Sequence, residues 1–266
     1  MTKSRAIIGL ADWLQTPAGR YLLAWEQGEL DEAVADIFGF HALQLGLPEL
    51  EALRANRMPH RWLCVDAGAP PAAAALLRCD FDALPLDSQS LDLVVLPHAL
   101  ELARDPHLAL REVERVLRPE GRVVIVGLNP ASMWGLRQRF GHLRQRLFPD
   151  SERPLYLPSE GEFIAYRRLR DWLRLLSFEV EAGRFGCYRP PFTSARWLGR
   201  LGWLERIGDR WWPVFGAVYL LVAVKRVRGM HLVGLAHQQR LRPQAAPAVV
   251  AQRRQHPPRR QPEEVA

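Results

Sequence analysis

Two short apolar runs, LDLVVL at 91–96 and RVVIVGL at 122–128, have the length and β-branched character of buried strands. Between them the apolar positions change to a helical period, and Leu110, Val113, Val116 and Leu117 fall on one stripe. Asp105 is placed to cap this helix, Pro106 suits its first position, and Pro119 and Gly121 stop it. A strand, a helix and a parallel strand make a βαβ unit, the repeat of an open α/β sheet. Ligands of such sheets lie outside the carboxyl ends of the strands, so the residues just past each strand are the candidates for function.

The same patterning extends in both directions. Residues 17–38 predict a helix around Tyr21, Leu22, Trp25, Leu30, Val34 and Phe38. Strands are predicted at 40–46, 61–66 and 74–79, the last of them Ala-rich and equally compatible with a helix, and Pro48 begins a helix at 47–57. Too few residues separate the second and third strands for a crossover helix of about a dozen residues. After 128 the pair Asn129-Pro130 makes a turn, and a basic segment with Arg137, Arg139, Arg144 and Arg146 is read as mobile. Ser159 and Glu162 form a capping box ahead of a helix that turns Leu169, Trp172, Leu173 and Leu176 inward. A strand begins at 178–181 and resumes towards 187, and the last strand is read at 215–227. Between them, 193–212 puts Trp197, Leu201, Leu204 and Trp211 near one helical face. That face closes the core or a substrate pocket, or, with Arg200, Arg206 and Arg210, meets a membrane surface or nucleic acid.

Charge divides the chain. The formal net charge is +7, and it arises entirely between Lys225 and the end, where nine Lys/Arg face only Glu263 and Glu264. The body is neutral, so the expected organisation is a helical extension over 1–39, an α/β domain over 40–228 and a basic tail over 229–266, disordered from about 235. The tail's arginine pairs suit nucleic acid or an acidic partner, and its lack of aromatics argues against base-stacking recognition. Cys64, Cys79 and Cys187 show no metal-ligand spacing and no disulfide framework, and no metal is expected. The longest apolar run, 214–224, is about half of the ~20 residues a spanning helix needs, so a cytoplasmic protein without a transmembrane segment is expected.

The block 80–128 resembles the class I S-adenosylmethionine-dependent methyltransferases of the type 11 group. The matching residues are Asp80 through Leu86 (DFDALPL), Ser90 through Val94 (SLDLV), His98 through Leu102 (HALEL), and the stretch from Asp105 to Gly121. The resemblance implies an α/β fold with a Rossmann-like seven-stranded sheet, its last strand antiparallel, and S-adenosyl-L-methionine as cofactor. It implies ribose contact by Asp66, adenine contact by Asp80 and Phe81, and a floor near the methyl group made by Leu96, Pro97 and His98. His98 is the catalytic candidate, as a base or substrate contact, against a histidine packed at a helix start. Asp66 and Asp80 read equally as turn residues, and Glu101 and Asp105 as local caps.

The family's acid and glycine-rich turn align with 42–50, ALQLGLPEL. Gln44 replaces the acid and Gly46 remains, while Pro48 and Leu50 stand at glycine positions, removing a donor and adding bulk. The expected activity is therefore methyl transfer to an acceptor the sequence does not identify. The alternative is a non-catalytic methyltransferase-like binding module. A nicotinamide enzyme is a distant third, because no GxGxxG follows a strand.

Overall fold

The computed structural model describes residues 10–68, 77–147, 155–158 and 163–226. All of these lie in the first of two units, Met1–Arg228 and Gly229–Ala266. The predicted capping box at Ser159 and Glu162 and the tail lie outside the described residues.

The chain enters through helix α1, Pro17–Ala35, whose Thr16 accepts a hydrogen bond from the amide of Gly19. Seven strands follow: β1 His41–Leu45, β2 His60–Asp66, β3 Leu77–Cys79, β4 Leu91–Pro97, β5 Leu117–Leu128, β6 Phe178–Gly186 and β7 Val218–Lys225. They form one sheet in the order β3-β2-β1-β4-β5-β7-β6. The first five run parallel, and β7 is inserted antiparallel between β5 and β6. This is the expected seven-stranded sheet with its last strand reversed. Every residue of β7 is buried, as its continuous apolar sequence requires. Lys225 ends that strand by donating to the carbonyls of Glu114 and Leu117 and pairing with Glu114.

Helices complete the layers: α2 Ala99–Leu102, α3 Pro106–Val116, α4 Met133–Leu147, α5 Tyr166–Leu175, α6 Ala195–Arg200 and α7 Trp203–Trp211. In α3 the carboxylate of Asp105 accepts from the amides of His107 and Leu108, and Ala109, Leu110, Val113 and Val116 are buried. Leu117 belongs instead to β5, because the helix ends at Val116 and the strand starts at once.

Three expectations are corrected. No helix forms over 47–57: the segment is a series of turns, with Leu47, Leu50, Ala52 and Leu53 buried in the core. The basic segment after Asn129 is the ordered helix α4, begun where Ser132 Oγ accepts from the Gly135 amide. Residues 193–212 form two short helices rather than one continuous face: Leu198 packs into the core, Leu204 and Trp212 line a cavity, and Trp197, Trp203 and Trp211 are exposed.

Candidate functional site

Strand order reverses between β1 and β4, which are neighbours in the sheet although β2 and β3 lie between them in sequence. That reversal is the crevice where open α/β sheets bind ligands. Gln44, Gly46, Asp66, Asp80, Phe81, Leu96, Pro97 and His98 all lie at or just past the carboxyl ends of β1 to β4. The topology therefore brings every sequence-predicted site residue to one edge of the sheet.

Gln44 is buried and fully engaged. Its Nε2 donates to the carbonyls of Gly46, Leu47 and Leu50 at 3.2, 3.0 and 2.7 Å. Its Oε1 accepts from the Ala52 amide at 3.0 Å. These bonds satisfy backbone groups that a helix after β1 would have paired internally, and they hold the chain as a folded plug. Gly46 sits at φ 81, a left-handed conformation open to glycine, and Leu47 follows at φ 38. A Cβ on Gly46 would meet the Phe81 ring and the Ala99 methyl at ordinary contact of 3.6 Å, so Phe81 lies buried against this turn.

Asp66 ends β2 with Oδ1 accepting from the Gly68 amide at 2.8 Å, an Asx turn that leaves its second oxygen without an assigned role. Asp80 follows β3 and is exposed, its carbonyl accepting from the Ala83 amide. Leu96 and Pro97 end β4 fully buried and paired with Ile125 and Val126. Cys64 and Cys79 on β2 and β3 bring their sulfurs within 2.8 Å, a proximity their sequence spacing does not suggest. The hydrogen bond with Cys64 lowers the pKa of Cys79, while the same bond and burial raise that of Cys64.

His98 is the most constrained group. Its backbone is left-handed at φ 53, and its ring is 1% exposed. Nδ1 lies 2.7 Å from Glu101 Oε2, and Nε2 lies 2.8 Å from Glu26 Oε1. Burial alone would depress its pKa, but the two carboxylates outweigh that and raise it to about 10. The ring is thus a cation at neutral pH with both N–H groups donated. Burial pushes Glu101 up, and its Oε1 accepts from the Leu128 amide at 2.5 Å. The cluster ties α1, α2 and β5 to the end of β4. Gly127 leaves it room, since a Cβ there would stand 2.6 Å from the Tyr219 hydroxyl and 3.2 Å from Glu101 Oε1.

Sequence reading missed Glu26, whose partner is 72 positions away. A signal exists: Glu26 occupies the buried stripe of α1 between Leu22 and Leu30 at four-residue spacing. A carboxylate on an apolar helical stripe needs a buried partner.

Comparison with known proteins adds the following. A family model described as "Methyltransferase domain", of the type 11 group, matches residues 50–125. The uncharacterized protein YafS of Escherichia coli (strain K12) is 30% identical over 219 residues, covering 80% of each chain. A malonyl-[acyl-carrier protein] O-methyltransferase of Laribacter hongkongensis is 37% identical over 99 residues, 37% of this chain and 32% of that one. Among solved structures, a SAM-dependent methyltransferase of Thermotoga maritima described as a possible histamine N-methyltransferase superposes with a TM-score of 0.50 at 14% identity, covering 77% of this chain and 93% of that one.

Proposed function

Because the chain belongs to the class I S-adenosylmethionine-dependent methyltransferases of the type 11 group, we propose that it binds S-adenosyl-L-methionine at the carboxyl ends of β1, β2 and β4 and transfers its methyl group to an acceptor. The observation that carries this reading is the convergence of Gly46, Asp66 and Asp80 at the ends of adjacent strands, beside the reversal of strand order.

The residues fit the adenosyl half of the cofactor. Asp66 offers a carboxylate to vicinal hydroxyls, Asp80 an exposed acceptor to an amino group, and the Phe81 ring an apolar bed beside Gly46. They do not fit its amino-acid half in the family's manner. Gln44 has no free donor towards that half, because its amide N–H groups are used on the 46–50 carbonyls, and its Oε1 is turned to the Ala52 amide. Pro48 offers no N–H, and no helix after β1 presents an amide terminus to a carboxylate. When bound, the cofactor supplies an electrophilic sulfonium methyl, and such a transfer needs chiefly an aligned nucleophile. In this reading His98 positions the β4 exit, since a cation with both N–H groups donated has no lone pair to accept a proton. Leu96 and Pro97 exclude water beneath it.

Thermal unfolding with S-adenosylhomocysteine tests the proposal. At 100 times its dissociation constant, a ligand of the folded state stabilises by about 2.7 kcal/mol. Asp66→Ala should weaken or remove that shift. No shift at millimolar ligand, with the protein folded, rejects the reading. The collapsed 46–52 turn supports a second reading, a methyltransferase-like module that binds without catalysis and contacts nucleic acid or an acidic partner through its basic tail. Retention of RNA that persists without cofactor binding and disappears on deletion of 235–266 would favour it.

A further inference from the structure

One face of the α/β unit is apolar, aromatic and basic at once. On α4, Met133, Leu136, Phe140, Leu143 and Leu147 recur at spacings of three and four, and all are exposed; Phe140 is 62% and Leu147 65% accessible. Such a stripe on a surface helix ordinarily faces a core, and here it faces out. On α6, α7 and the turn after them, Trp197, Trp203, Ile207, Trp211, Trp212 and Phe215 are likewise exposed, Trp211 at 70%.

The two groups meet at a shared cavity. Met133 and Leu136 from α4 line a cavity of about 540 Å³ together with Leu204, Gly208, Trp212 and Phe215. Trp134 Nε1 donates to the Arg189 carbonyl at 2.7 Å, and Arg137 donates to the Pro191 carbonyl, which fastens α4 to the segment leading into α6. Charge flanks the apolar residues. Helix α4 carries Arg137, Arg139, Arg144 and Arg146 with no acid, and 195–211 adds Arg196, Arg200 and Arg210, while Glu205, Arg206 and Asp209 line a separate cavity beside Glu29 and Arg184.

We propose that this face, built by α4, α6 and α7, docks the protein on the surface of an anionic lipid bilayer. Exposed leucine, phenylalanine and tryptophan enter the boundary between headgroups and acyl chains, where tryptophan is favoured, and the arginines meet anionic headgroups. Charge selects this occupant over a second copy of the chain. A two-fold contact through the same patch would set one arginine-rich face against another, at a cost in repulsion. Nucleic acid would satisfy the arginines but leave Met133, Leu136, Leu143 and Ile207 without a stacking partner. No helix among the described residues is long and apolar enough to span a bilayer, so the contact is peripheral. The cavity is lined by residues of this face and is mostly apolar, so it suits an acyl or similarly apolar chain. The inference stands apart from methyl transfer, because docking needs no cofactor.

Co-sedimentation of the full chain with vesicles of phosphatidylcholine, with and without phosphatidylglycerol, tests it. Binding is expected only to the phosphatidylglycerol vesicles, with tryptophan emission quenched by lipids brominated on their acyl chains. The variants Trp203→Ser with Trp211→Ser, and Leu136→Ser with Leu143→Ser, should each lower partitioning by ~10-fold while leaving the melting temperature unchanged. Replacing Arg139 and Arg146 by glutamine should lower it by roughly 5-fold per residue. Absence of binding overturns the proposal, as does binding that ignores these substitutions and depends only on 229–266. So does a dimer, or an RNA complex, that the same variants disrupt while vesicles remain unbound.

Discussion

Gln44 shows how one side chain alters the meaning of a motif. At a position where the family has an acid, its amide nitrogen donates to three carbonyls and its oxygen accepts from a fourth backbone group. Restoring the acid should therefore do harm. Gln44→Glu places a carboxylate against three carbonyl oxygens in a buried site, and urea unfolding should show a loss of about 3–5 kcal/mol. His98 makes the same point from the opposite direction, since a motif histidine in a position suggesting chemistry is held as a cation between Glu26 and Glu101. Removing it with His98→Ala leaves two buried carboxylates without their counter-ion, at a cost of about 3–5 kcal/mol. Its pH dependence has a definite sign. His98 is raised from 6.5 to about 10 and Glu101 is raised as well, so the native state holds more protons than the unfolded chain. The histidine's contribution is complete below pH 6.5 and lost as pH rises through 10. Melting temperatures should fall from pH 7 towards pH 10, and His98→Gln should flatten that slope.

Among the elements, those specified by local chemistry were the ones legible in the sequence. Helix α3 has its cap and its first-position proline next to one another and starts where these place it, but it ends at Val116, and Leu117, Pro119 and Gly121 belong to β5. The turn segment after β1 was misread because Pro48 and its leucines resemble a helix start, whereas Gln44, outside the segment, takes its backbone bonds. Helix α4 departs from the expected mobile segment because its glycines and arginines interrupt an apolar repeat at spacings of three and four. At β5, Gly127 marks a contact with β7 and α2 that no local rule contains. Gly127→Ala must displace the Tyr219 hydroxyl or Glu101, and an overpacking loss of about 1–3 kcal/mol is expected in chemical denaturation. The parallel pairing of β2 and β3 brings two cysteines together in the same non-local way. With the Cys79 thiol lowered and Cys64 raised, mass-spectrometric mapping after brief iodoacetamide treatment should find Cys79 alkylated first.

For the whole molecule, the order of apolar runs determined the class of fold. A run of strands with one well-specified strand–helix–strand unit admits few arrangements, because parallel crossovers are right-handed and neighbours in sequence tend to pack together. The family motif then located the carboxyl edge of the sheet and the residues gathered there. Tertiary structure alone decided what those residues are free to do. Gln44 is spent on its own loop and His98 on two carboxylates, one of them on α1, because burial favours polar groups that find partners and does not respect distance along the chain. It also decided which aromatic residues stay outside. Trp134 and Tyr219 are enclosed, whereas Trp203 and Trp211 face solvent on the surface proposed to dock. An apolar pattern states that a side chain should leave water; packing determines whether the protein or a partner receives it.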